Sequence, residues 1–126
     1  MARIMLVDAR VELHQYILKM LELAEHEVLL VSSLSDALQS LVTQVEENRA
    51  FLPDLLFVEL GPFSVQDALE VHKKVRAIAN TATTDIPMVF IVQEDQIEMV
   101  EHPFMQAGIK FIVEPTSIDS LNVFLD

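Results

Sequence analysis

Three short apolar runs in the sequence each end at an acidic residue, and these acids are the first candidates for chemistry. The three acids are Asp8, Glu59 and Glu114. Carboxylate oxygens are the ligands that Mg²⁺ and Ca²⁺ prefer in proteins. A divalent-cation site is therefore one hypothesis for these residues, provided that the fold brings them to one edge.

The other residue types offer little chemistry. No histidine lies four residues from another, so zinc and catalytic histidine sites are not expected; the histidines are His14, His26, His72 and His102. Gly-x-x-x-x-Gly-Lys, Gly-x-Gly-x-x-Gly and Gly-x-Ser-x-Gly sequences are absent, and the chain has no cysteine. The sequence therefore predicts neither an enzyme nor a cofactor-binding protein.

Composition indicates one domain with a buried core and restricts the classes of partner. The 126 residues fit one domain, residues 1–126, and 52% of them are apolar, which is enough to form a buried core. Eight Lys and Arg against twenty Asp and Glu give a formal charge of −12. Such an excess disfavours nucleic acid and anionic membranes, because both attract basic surfaces. We expect a cytoplasmic protein with a protein partner.

The hydrophobic pattern positions the acids at the ends of strands. Short apolar runs alternate with amphipathic segments, which is typical of a parallel sheet covered by helices. The expected strands are residues 3–8, 27–32, 55–59, 86–92 and 109–113. Helices are expected at residues 10–25, after Ser33 or Ser35, over the segment that contains Ala68 and Val75, and at residues 95–107. Pro103 should kink or restart the fourth helix, since it lacks an amide hydrogen.

The residues around the expected strands form a recognisable set. They are Ile-Met-Leu-Val-Asp-Ala at residues 4–9, Pro53-Asp54 before the third strand, Asp85-Ile86-Pro87 before the fourth, Ala107-Gly108 before the fifth and Glu114-Pro115 after it. With these features the sequence resembles a bacterial response-regulator receiver domain over essentially its whole length. The resemblance implies an α/β fold of three layers, with a doubly wound five-stranded parallel sheet in the order 2-1-3-4-5 and a site at the carboxyl ends of the strands.

Receiver domains transfer a phosphoryl group from a histidine kinase to their own aspartate. Their site contains a nucleophilic aspartate, an acid pair that holds Mg²⁺, a hydroxyl, a lysine and a switch aromatic. The resemblance places Glu59 at the nucleophile, Asp8 and Ala9 at the acid pair, Val92 at the hydroxyl, Glu114 at the lysine and Phe111 at the aromatic. Ala9 and Val92 can neither bind metal nor donate a hydrogen bond, and Glu114 reverses a charge. The resemblance therefore implies the fold but not the reaction, and it predicts a degenerate pseudo-receiver that holds no metal.

The resemblance also implies that Asp8, Glu59 and Glu114 converge. Two like charges 4 Å apart repel by about 4 kcal/mol at an effective dielectric constant of about 20. The repulsion is relieved if one acid keeps its proton, if Glu114 turns to solvent, or if Arg10 or Lys110 folds in. We expect Glu114 to point outward with Arg10 near the mouth of the pocket. Glu59 either imitates a phosphorylated aspartate or belongs to a static scaffold, and the second reading is favoured.

A possible interaction face lies on the fourth helix and fifth strand. Its candidate residues are Met99, Phe104, Met105 and Phe111, and those that are exposed would form the patch. The resemblance implies a protein partner or a fused output domain, and a possible homodimer through the fourth helix, fifth strand and fifth helix. We expect phosphorylation-independent signalling in a two-component-like pathway. The alternative is a residual phosphoacceptor or divalent-metal-responsive switch that uses Asp8 and Glu59.

The last expected helix is short. Thr116 or Ser117 opens it, and Ile118 and Leu121 would face inward. It stops at Asp126 without a glycine or proline signal. We therefore expect that the parent protein continues beyond Asp126.

Overall fold

A computed structural model of the protein describes residues 3–7, 11–46, 52–61, 64–81, 86–113, 119–120 and 123. The strands are β1 (Arg3–Val7), β2 (Glu27–Val31), β3 (Leu55–Glu59), β4 (Met88–Val92) and β5 (Lys110–Val113). The helices are α1 (Val11–Leu23), α2 (Leu34–Glu46), α3 (Val65–Thr81) and α4 (Ile97–Ala107), with a 3₁₀ turn (Glu94–Gln96) before α4.

The five strands form one parallel sheet in the order β2-β1-β3-β4-β5, which confirms the predicted fold class. The central strands β3 and β4 are buried along their whole length, because helices cover both faces. In the parallel pairing of β3 with β4, Glu59 lies level with Ile91. The last residue of β3 is thus placed at the carboxyl edge of the sheet, next to the end of β4.

Side chains alternate between two layers of core. One layer packs on α2, α3 and α4 and includes Met5, Phe90 and Phe104. The other packs on α1 through Ile17 and Leu21. Two serines fix the helix starts, because Ser33 Oγ accepts a hydrogen bond from Asp36 N at 3.0 Å and Ser64 Oγ accepts one from Asp67 N at 3.1 Å. Ser33 is thus the N-cap of α2, and Ser35 is not.

Two local predictions need correction. Strand β4 begins at Met88 rather than at residue 86, since Pro87 has no amide hydrogen for a ladder. Helix α4 continues through Pro103 without a restart and ends at Ala107, with Gly108 as its C-cap at a φ of 72°.

The terminal helix lies mostly outside the described residues, where Thr116, Ser117, Ile118 and Leu121 all fall. Of that segment residues 119, 120 and 123 are described; the first two are helical and the third lies in a turn. In the described ranges, no helix combines the length and the hydropathy needed to cross a membrane.

Candidate functional site

The structure describes only part of the predicted pocket. Glu59 and Val92 end the neighbouring strands β3 and β4, as the sequence predicts. Asp8, Ala9, Arg10 and Glu114 lie outside the described residues. Their convergence with Glu59, and the expected place of Arg10, stay predictions. Lys110 is not a candidate counter-ion for the acids at the carboxyl edge. It is the first residue of β5 and lines a groove with Leu55 and Met88 at the amino ends of the strands.

The Glu59 side chain is folded over the loop that follows β3. It is 3% exposed and is the one buried charged side chain among the described residues. A Cβ atom added to Gly61 would lie 2.9 Å from Glu59 Oε2 and 3.3 Å from Oε1. Only glycine leaves this space, and its φ of 53° is in the left-handed region that glycine favours. The carboxylate is therefore packed against the Gly61 backbone.

Val92, at the predicted hydroxyl position, is fully buried. Its side chain belongs to the apolar core layer that also contains Val58, Leu60 and Phe104. A valine side chain has no donor, so it can offer no hydrogen bond to a group above the sheet edge. The end of β4 thus contributes packing instead of polar chemistry.

Gln96 joins the loops after β3 and β4 and was not among the site residues predicted from the sequence. Its Nε2 donates a hydrogen bond of 2.7 Å to the carbonyl oxygen of Gly61, which is 35 residues away in the sequence. Its Oε1 accepts a hydrogen bond of 2.8 Å from the backbone N–H of Gln93. The spacing Gln93-x-x-Gln96 is that of a capping box and is the signal that could have indicated the local half of this arrangement. The bond to Gly61 has no local signature.

Removing the Gln96 amide should destabilise the protein. In Gln96→Ala the Gly61 carbonyl oxygen and the Gln93 backbone N–H both lose their hydrogen-bond partner, and both groups are partly buried. We therefore expect the free energy of unfolding to fall by about 1–3 kcal/mol. Gln106→Ala, the same change on the exposed side of α4, should cost less than about 0.5 kcal/mol. Urea denaturation measures both. Equal stability of the two variants would show that the bridge contributes nothing.

Comparisons with solved structures show which fold the chain has. The structure matches a response regulator receiver protein from Burkholderia phymatum with a TM-score of 0.74 and 18% identity, over 99% of this chain and 95% of that chain. It also matches NtrX from Brucella abortus with a TM-score of 0.73 and 21% identity, over 98% of this chain and 25% of that one. The fold is that of the receiver domains. No family model matches the sequence, and no curated protein is recognisably similar to it.

A further neighbour shares the receiver fold and contains a metal. The receiver domain of the sensor histidine kinase PA1611 from Pseudomonas aeruginosa holds a magnesium ion in its active site cleft. It matches with a TM-score of 0.68 and 19% identity, over 98% of this chain and 93% of that chain. In the described part of the present chain, no group of three or more His, Asp or Glu residues is arranged to hold a metal ion.

The predicted interaction face of the receiver fold is only partly exposed. Met99 is 46% exposed and Met105 is 70% exposed, and a shallow cavity of about 340 Å³ lies between Met105 and Phe111. Phe104 does not belong to this surface, because it is fully buried between Phe90 and Phe111, with ring centroids 5.2 and 6.1 Å away. It was wrong to count Phe104 as a surface candidate, since it is a core residue.

Proposed function

We propose that this chain is a degenerate receiver domain that signals through protein contacts and does not accept a phosphoryl group. The observation that carries the proposal is the placement of Glu59, whose carboxylate is 3% exposed and lies against Gly61. A nucleophile must reach its donor in line with the leaving group. A carboxylate packed on the backbone of its own loop is poorly placed for that reaction.

The residue types around Glu59 support the same reading. Val92 ends β4 without a hydroxyl, and the sequence has Glu114 where the resemblance expects a lysine. A transferred phosphoryl group carries a charge of about −1.5 to −2 and needs cationic partners or hydrogen-bond donors. These positions supply neither, so the product would be poorly stabilised.

The magnesium ion of receiver chemistry fits this chain poorly. Mg²⁺ requires oxygen ligands in near-octahedral geometry. Ala9 has no side-chain oxygen, and the Glu59 carboxylate is directed at Gly61. The Gly61 carbonyl oxygen already accepts a hydrogen bond from the side-chain amide of Gln96. These residues therefore do not fit a Mg²⁺ site of the receiver type.

Gln96 supports a function that needs no phosphoryl group. Its neutral amide links the β3–α3 loop to the β4–α4 turn directly. The two loops are thus held together by the chain's own side chain. On this proposal the surface next to them, including Met99 on α4, keeps one arrangement for a partner.

The proposed partner is a protein or a fused output domain. NtrX matches this chain over one quarter of its own length, so a receiver-like fold can form a minor part of a longer protein. The exposed Met99 and Met105 on α4 are the proposed contact residues, with Phe111 beside them. A homodimer through α4, β5 and the following segment is the second arrangement to consider.

Phosphorylation can be tested by mass spectrometry. The protein is incubated with acetyl phosphate and Mg²⁺ and its intact mass is measured, and we expect no gain. The matched variant restores the receiver residues by Ala9→Asp, Glu59→Asp, Val92→Thr and Glu114→Lys, and we expect it to gain one phosphoryl group. A gain in the wild-type protein would overturn the proposal.

The alternative is a residual phosphoacceptor or divalent-ion-responsive switch that uses Asp8 and Glu59. Glu59 favours this reading because it still ends β3 at the carboxyl edge of the sheet. Titration with Mg²⁺ or Ca²⁺ while amide NMR signals are recorded tests it directly. Saturable shifts of the Glu59 and Gly61 amides would support the alternative, whereas unchanged signals would exclude it.

A further inference from the structure

Helix α3 borders a groove that Glu59 does not line. One cavity of about 540 Å³ lies between α3 and α4 and is lined by Leu69, Lys73 and Pro103, among others. A second cavity of about 440 Å³ lies where β3, β4 and β5 begin, at Leu55, Met88 and Lys110. His72 and Arg76 line both cavities. The two therefore adjoin along α3, and we call them together the α3 groove.

The α3 groove collects positive charge in an acidic protein. Three of the eight Lys and Arg residues line it, together with one of the four histidines, although the chain carries a net charge of −12. These residues are His72, Lys73, Arg76 and Lys110. Glu70 is the one acid among the lining residues. Arg76 forms no ion pair with a carboxylate in the part of the chain that the structure describes.

The position of His72 in the α3 groove affects its pKa. Its pKa is lowered, first because burial disfavours the charged imidazolium and second because the Arg76 guanidinium repels it. The other charged groups that share the groove with His72 are Glu70 and Lys73 on α3 and Lys110 on β5. An anion placed in the groove would offset the repulsion and favour protonation of His72.

We propose that the α3 groove binds an acidic peptide segment of a partner protein. The cationic residues supply charge complementarity, and Leu69, Pro103 and Met88 supply apolar contacts between them. The first cavity is lined by α3 from Gln66 to Arg76, and over this part the helix rises about 15 Å. An extended peptide advances about 3.3 Å per residue, so about five residues span this part and a few more reach into the second cavity. An open groove of this length suits an extended chain better than a compact ligand, which proteins usually enclose.

The net charge of the protein does not prevent this binding. At physiological ionic strength the Debye length is about 8 Å, so the acidic residues on other faces are largely screened from the groove. This proposal also does not depend on whether Glu59 accepts a phosphoryl group, because Glu59 lines neither cavity of the groove.

The test uses a fluorescein-labelled peptide of alternating Glu and Leu, about eight residues long, with fluorescence anisotropy as the readout. We expect saturable binding that Arg76→Glu weakens by about tenfold or more, because a charge-assisted contact becomes a repulsion. Lys74→Glu makes the same kind of change two residues earlier on α3, at an exposed position that lines neither cavity. It should weaken binding by no more than about threefold, because a solvent-screened charge outside the groove makes no direct contact with the peptide.

His72 provides a second readout. Its ring NMR signals are titrated with and without the peptide, and we expect the bound state to raise the pKa of His72, so that binding tightens as the pH falls. Four results would each overturn the proposal: no saturable binding, equal losses in Arg76→Glu and Lys74→Glu, equal affinity for a peptide of alternating Gln and Leu, or full displacement by millimolar inorganic phosphate, which would indicate a small-anion site.

Discussion

Replacing Phe104 with alanine should lower the free energy of unfolding by about 3–5 kcal/mol, the range for large aromatic deletions in a core. Phe104 is fully buried on α4 and packs between Phe90 of β4 and Phe111 of β5. Its removal would leave a cavity where α4 meets the sheet and would end both ring contacts. Urea denaturation checks the value through the midpoint, with an unchanged m value if the native fold persists.

The neighbouring Met105→Ala is the matched control for this prediction. Met105 lies on the same helix but is 70% exposed, so its truncation should change stability by less than about 0.5 kcal/mol. Similar losses in the two variants would mean that Phe104 does not pack as the structure shows. Because Phe104 is in the core, a loss of partner binding in a Phe104 variant would report unfolding, and contact tests belong at Met105.

Gly61→Ala should destabilise the protein through two separate effects. The φ of 53° costs an L-residue about 1–2 kcal/mol. In addition, the new Cβ would lie 2.9 Å from Glu59 Oε2, and displacing a buried side chain costs about 1–3 kcal/mol. Gly108→Ala carries only the first cost, since Gly108 has a φ of 72° and no atom within 4 Å of the added Cβ. Thermal or urea unfolding of the two variants should therefore differ.

A double-mutant cycle separates the two effects at Gly61. If the Glu59 carboxylate lies against Gly61, Gly61→Ala should cost less in a Glu59→Ala background, with a coupling of about 1–3 kcal/mol. Additive losses would show that the two residues do not touch. That result would also remove the observation on which the proposed loss of phosphoryl transfer rests, because Glu59 would then be free to turn toward the sheet edge.

The strands were predictable because each buried strand is a run of consecutive apolar residues. Leu55 to Val58 and Met88 to Val92 are uninterrupted apolar runs, which a strand buried on both faces requires. Their misplaced ends have local causes, such as Pro87 before β4. Phe104 was harder to place, since Met99, Phe104 and Met105 are all large and apolar and lie close together on α4. Residue type alone could not tell the buried one from the two exposed ones.

The sequence by itself determined the parallel sheet and the residue types at its carboxyl edge, including Glu59 and Val92, because both follow from short-range patterns along each strand. Only the tertiary structure decided that the Glu59 carboxylate packs on Gly61, that Gln96 bonds a carbonyl 35 residues away, and that His72 and Arg76 share a groove with Lys110. These arrangements join segments that are distant in the chain. Hydrophobic periodicity reports which face of an element is buried, but not which residue of another element it meets.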